Sequence, residues 1–85
     1  MLRGKRFHLR HTLCSVLELP HEMIMGEDLI EALESYCTRK ELWKDKTMKC
    51  IFTNDELHQH LDTRRHILFL DDVYHLLLPH MVFFD

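Results

Sequence analysis

The sequence predicts an α+β domain that is mostly α, a compact fold of about four helices with short β-strands. Apolar residues recur at helical spacing in several places, and two short stretches alternate at strand spacing. Only Gly4, Gly26, Pro20 and Pro79 punctuate the chain, with no linker, no low-complexity run and no visible repeat, so residues 1–85 read as a single domain.

The first eight residues read as a basic N-terminal arm, because Arg3, Lys5, Arg6 and Arg10 fall in the first eleven residues with no acid among them. Leu9, Leu13, Val16 and Leu17 share one helical stripe and place a first helix at about 9–17, ended before Pro20. A second helix, about 27–40, buries Leu29, Ile30, Leu33, Tyr36 and Cys37. Glu27, Asp28 and Glu31 lie near its positive end, and Arg39 and Lys40 near its negative end.

Lys44-Asp45-Lys46 is a polar turn, and the alternation of Met48, Cys50 and Phe52 with Lys49, Ile51 and Thr53 gives a short strand. Thr53-x-x-Glu56 has the form of a capping box, so a two-turn helix with Leu57 and Leu61 inward begins there. His66–Phe69 is a second strand. Asp71 or Asp72 then caps a last helix with Val73, Leu76 and Leu77 inward and Pro79 at or just past its end.

Composition excludes several functions. Two glycines leave no phosphate-cradling loop, and the stretch from His66 to Phe84 is broken by Asp71, Asp72 and Pro79 before it reaches membrane-spanning length. Cys14, Cys37 and Cys50, odd in number and widely spaced, make no disulfide framework and favour a reducing compartment. The chain has eight histidines, but His58-x-His60 with Cys50 lacks the second ligand pair of a structural zinc site, so neither metal nor cofactor is expected. No nucleophile–base pair or facing carboxylates are readable, and the reading is of a protein that is not an enzyme.

Two binding functions remain. Arg3, Lys5, Arg6 and Arg10, with Arg64 and Arg65, could neutralise phosphates, which makes a small DNA-binding domain the alternative reading; the net charge of −3 opposes it. Trp43, Met23, Ile24, Met25 and Met81-Val82-Phe83-Phe84 supply more large apolar groups than a small core needs, which points to an interaction surface.

In order, these pieces resemble the SWIB domain of SWI/SNF chromatin-remodeller accessory subunits, related to the peptide-binding domain of the Mdm ubiquitin ligases. The similarity runs from about Lys5 to Val82. It rests on the leading Leu-rich helix, Leu33-Glu34-Ser35-Tyr36-Cys37 in place of L-x-x-Y-I, Leu42, a basic turn and strand, the short helix of Asp55 to Leu61, and Leu76-Leu77-Leu78-Pro79-His80. Family members often close the first and third helices with glycine, where this chain has Glu18 and Asp62.

The resemblance implies a monomeric, non-catalytic protein–protein interaction domain, working in the nucleus among subunits of a chromatin-remodelling or transcription-regulation complex. It implies a partner-binding groove formed by Ile30, Leu33, Glu34, Cys37, Thr38 and Trp43 with Val73 and Leu77 opposite. Glu34 stands there where the Mdm relatives have a glycine that lets the peptide approach. Contact with nucleic acid is expected to be weak or indirect, and membrane association is not expected.

Overall fold

The computed structural model describes residues 2–84. In chain order the elements are β1 (Arg6–Leu9), α1 (His11–Val16), β2 (Met23–Met25), α2 (Gly26–Arg39), β3 (Trp43–Asp45), β4 (Cys50–Phe52), α3 (Asp55–Leu61), β5 (Ile67–Phe69), α4 (Leu70–Leu77), a 3-10 turn (Leu78–His80) and β6 (Met81–Phe84). Among the described residues four helices are present as expected, but the fold is not mostly α: six strands form two three-stranded antiparallel sheets, ordered β2-β1-β6 and β3-β4-β5. Strands of three or four residues carry barely one alternation of polar and apolar side chains, too little to register as a period.

The chain divides into two compact units. The first holds residues 1–36 and 80–85, the second residues 37–79. In unit 1, β1 is the central strand, and the residues read as a basic arm include it. Phe7 and Leu9 are fully buried while Arg6 points outward, so the strand alternates as a half-buried strand should. Leu9 therefore belongs to the sheet, and α1 starts two residues later than its stripe suggests.

In α2, Leu29, Leu33, Tyr36 and Cys37 are buried at i, i+4, i+7 and i+8, and the Asp28 carboxylate accepts a hydrogen bond from Met25 N at 3.3 Å. Gly26 opens the helix because a Cβ there would lie 1.7 Å from the Leu2 carbonyl oxygen. Gly4, at φ +75°, turns the segment that approaches it, and its amide donates to Glu27 Oε1.

Unit 2 has β4 at the centre of its sheet. Its α3 begins at an Asn54 N-cap, whose Oδ1 accepts from Leu57 N at 2.8 Å. Thr53, expected to cap, instead donates to the Arg65 carbonyl at 2.7 Å and lies 2.6 Å from His58 Nε2. Asp72 Oδ2 accepts from Phe69 N at 3.2 Å, so the acid that holds the start of α4 sits inside the helix. Leu70, Val73, Tyr74 and Leu77 are the buried positions of α4, and Leu76 is half-buried.

The two units repeat one plan, displaced by 44 residues. The β1–β2 register of Arg6↔Met25, Phe7↔Ile24 and His8↔Met23 recurs as Cys50↔Phe69, Ile51↔Leu68 and Phe52↔Ile67. Backbone bonds recur with it: Gly26 N to Lys5 O (2.8 Å) matches Leu70 N to Lys49 O (2.9 Å), and Leu9 N to Glu22 O (2.8 Å) matches Thr53 N to His66 O (2.9 Å). The repeat is invisible in the sequence because burial, and seldom residue identity, is what it preserves.

Candidate functional site

Trp43 opens β3, directly after the turn that ends α2. Its indole Nε1 donates to Thr38 Oγ1 at 3.0 Å, which fixes the plane of the ring and leaves it half-buried. The ammonium groups of Lys46 and Lys49 each lie over this ring, 5.8 Å from its centroid. That distance is at the outer range of cation–π attraction.

The hairpin that presents these groups is shaped locally. The register slips between Trp43 and Asp45, Asp45 Oδ1 accepts from Met48 N at 3.1 Å, and Lys49 has a left-handed backbone at φ 56°. Such a slip bends a strand and re-aims its side chains.

Of the eight positions implied for a groove, Leu33, Cys37, Val73 and Leu77 are at most 2% exposed and belong to the core. Their spacing suits either role, and in so short a chain the demand for buried apolar surface takes them. Ile30 and Glu34 are half-buried, and Thr38, eight residues beyond Ile30 on α2, is exposed. With Trp43, these are the groove candidates that keep surface.

The basic candidates fall into two sets. Arg3, Lys5, Arg6 and Arg10 are exposed residues of unit 1, and Arg64 and Arg65 are exposed residues of unit 2, where Arg65 Nη1 lies 3.8 Å from Asp72 Oδ2. Sequence reasoning missed the lysines around Trp43. The signal was present as Lys44-x-Lys46-x-x-Lys49 beside the single tryptophan, but it was read as a polar turn. Of the surplus apolar groups that sequence reasoning named, Met23, Val82, Phe83 and Phe84 are exposed on strands of unit 1; it did not single out Phe52, Ile67 and Phe69, exposed on strands of unit 2.

Among the described residues, no group of three or more His, Cys, Asp or Glu could hold a metal ion. Cys14, Cys37 and Cys50 are buried thiols outside any disulfide. Burial, with the nearby Glu22 carboxylate second, pushes the Cys14 thiol pKa upward, and its Sγ donates weakly to Leu9 O at 3.5 Å. Cys14 lines an open cleft of about 620 Å³ in unit 1 with His8, His11, Leu19, Glu22 and Met23, where His8 Nε2 lies 3.4 Å from Glu22 Oε1. In unit 2, His58 Nε2 lies 3.0 Å from the Arg65 carbonyl, and its ring meets that of His66 edge-on at 5.7 Å. Through Thr53 Oγ1 and the Arg65 carbonyl, His58 ties the start of α3 to the loop before β5.

No helix among the described residues is long and apolar enough to cross a membrane. A comparison with protein-family models finds no match to this chain, and a comparison with curated proteins finds none either.

Proposed function

We propose that this chain is a non-catalytic protein-interaction domain of the SWIB type, acting in the nucleus within a chromatin-remodelling or transcription assembly. In this reading a partner's amphipathic helix is held along α2 by the residues that keep surface, Ile30, Glu34 and Thr38, with Trp43 bonded to Thr38; Leu33, Cys37, Val73 and Leu77 are buried and offer it no surface.

The observation that carries the reading is the backbone at Glu18 and Asp62. Both residues follow a short helix and have left-handed φ values of 57° and 53°. Those are the places where the resembled family often has glycine, the residue that adopts this conformation without a Cβ penalty. The departure in residue type thus coincides with the backbone shape that the family's glycines would serve. The exposed aromatic and apolar residues on the strands add support for an interaction role.

Affinity capture from nuclear extract, comparing the parent chain with Ile30→Asp and Trp43→Ala, tests the proposal. Co-purification of chromatin or transcription-complex subunits that both substitutions abolish is the expected result. Retention unaffected by either substitution, or retention of nucleic acid alone that moderate salt releases, overturns it.

A further inference from the structure

Around Trp43, which the interaction reading shares, the hairpin of β3 and β4 carries a cluster of charge that the interaction reading does not use. From Arg39 to Lys49 five basic residues stand against Glu41 and Asp45, a local net charge of +3 in a chain of net charge −3. Asp45 is engaged by the Met48 amide at 3.1 Å, at the turn of the hairpin. The half-buried Trp43 ring lies among these cations, with two ammonium groups over it. Such a concentration of one charge around an aromatic ring is a binding surface for a polyanion that also has flat, stackable groups.

We propose that Trp43, with Lys44, Lys46 and Lys49, forms a contact site for single-stranded nucleic acid. The ring supplies a stacking platform for one base, and the lysines neutralise the phosphates that flank it. Because the indole N–H is committed to Thr38, Trp43 offers only its π surface, which accepts any base and reads no sequence. The same surface carries the negative lobe of the ring quadrupole, so it favours a base over the carboxylates of an acidic peptide. At 5.8 Å from the ring centroid, the two ammonium groups lie close enough to meet the phosphates that flank a base stacked on the ring. The site belongs to unit 2, whereas Arg3, Lys5, Arg6 and Arg10 belong to unit 1, and the inference does not depend on the SWIB reading.

The chain has one tryptophan, so its fluorescence reports on the site alone. Titration with an oligo-dT of about twelve nucleotides at low salt should quench it, with a dissociation constant of roughly 1 to 100 μM. The logarithm of the affinity should fall against the logarithm of salt concentration with a slope of about −2, the value for three phosphates on a single strand.

Lys46→Gln with Lys49→Gln should reduce the slope to about −0.7. Followed by anisotropy of labelled oligo-dT, Trp43→Ala should weaken binding about 5- to 150-fold and Trp43→Phe much less, since phenylalanine still stacks. Arg3→Gln with Lys5→Gln should leave both readouts unchanged. The absence of quenching, a salt slope unmoved by the lysine substitutions, abolition of binding by the Arg3 and Lys5 changes, or stronger quenching by a poly-glutamate peptide than by oligo-dT would each overturn the proposal. The last outcome would assign the hairpin to an acidic protein segment. Should Trp43→Ala fail to fold, the substitutions at the exposed lysines still decide the matter.

Discussion

In unit 1 the long helix begins at Gly26, with the Leu2 carbonyl occupying the space a side chain would need; in unit 2 the equivalent residue is Leu70, whose own side chain is 3% exposed. One unit fills the position from the chain before β1 and the other from within α4. Elsewhere the substitutions are closer: Phe7 for Ile51, Ile24 for Leu68 and Leu29 for Val73, all buried, with Leu13 and Leu57, Leu17 and Leu61, and Leu33 and Leu77 as leucines in both. The comparison teaches that the plan is set by where apolar volume is required and where a strand amide meets a loop carbonyl. The residue that satisfies each requirement is negotiable.

Leu33→Ala and Leu77→Ala test this most severely. Each removes a nearly inaccessible side chain at an equivalent position, and each should lower unfolding free energy by about 2–5 kcal/mol in chemical denaturation. A loss at one position without the other would confine the equivalence to the backbone. Next in size is Gly26→Ala, which forces the Leu2 segment away and should cost about 1–3 kcal/mol, measured the same way. A neutral result would show that the N-terminal segment does not hold that space.

The helix starts differ in a smaller way. Arg10 begins α1 without a side-chain cap, whereas Asn54, 44 residues on, caps α3. Asn54→Ala should lose about 1 kcal/mol, and Arg10→Asn should gain up to about that much, both read from thermal melts. The smallest expected effect is at the left-handed positions. Glu18→Gly should stabilise by under about 1 kcal/mol and Asp62→Gly by less, because aspartate tolerates this backbone better than glutamate.

A titration separates the units further, since Cys14 of unit 1 occupies the slot that His58 fills in unit 2. With the thiol pKa raised by burial, the folded state favours neutral Cys14. Its contribution to stability is complete below the usual value of 9.0 and is lost as pH rises through the higher folded value. Denaturation midpoints should therefore fall less steeply in Cys14→Ala than in the parent chain between pH 9.0 and the higher folded value.

Much of unit 2 was legible. The alternation around Cys50, the helical pairs Leu57/Leu61 and Val73/Leu77, and the strand before Leu70 lie within a residue or two of their expected places. Unit 1 was harder. Leu9 fits a helical stripe with Leu13 as well as it fits a strand, and Met23–Met25 has no alternation to distinguish it from loop. Met81–Phe84 is apolar throughout, so its pattern could not show that only Met81 would be buried. Those strands turn a mostly helical expectation into a fold with two sheets. At the candidate site, residue type identified Trp43 as notable. Periodicity could not distinguish Ile30, which keeps surface, from Leu33, which does not, because both lie on the apolar side of α2.

The composition of the two sheets bears on the order in which the chain can acquire its structure. Unit 2 is contiguous, and its β4 and β5 strands pair residues as near as Phe52 and Ile67. In unit 1, β1 also pairs with β6, joining Arg6 to Phe84. Closing the larger loop costs about 1.4 kcal/mol more in chain entropy, and long-range pairings form late when local ones are available. During ribosomal synthesis β1 thus emerges before β6 and waits with one edge unpaired until β6 follows. Throughout that interval an edge of a strand carrying Phe7 is open to other chains, so nascent polypeptides truncated before Met81 should be the species most prone to aggregate.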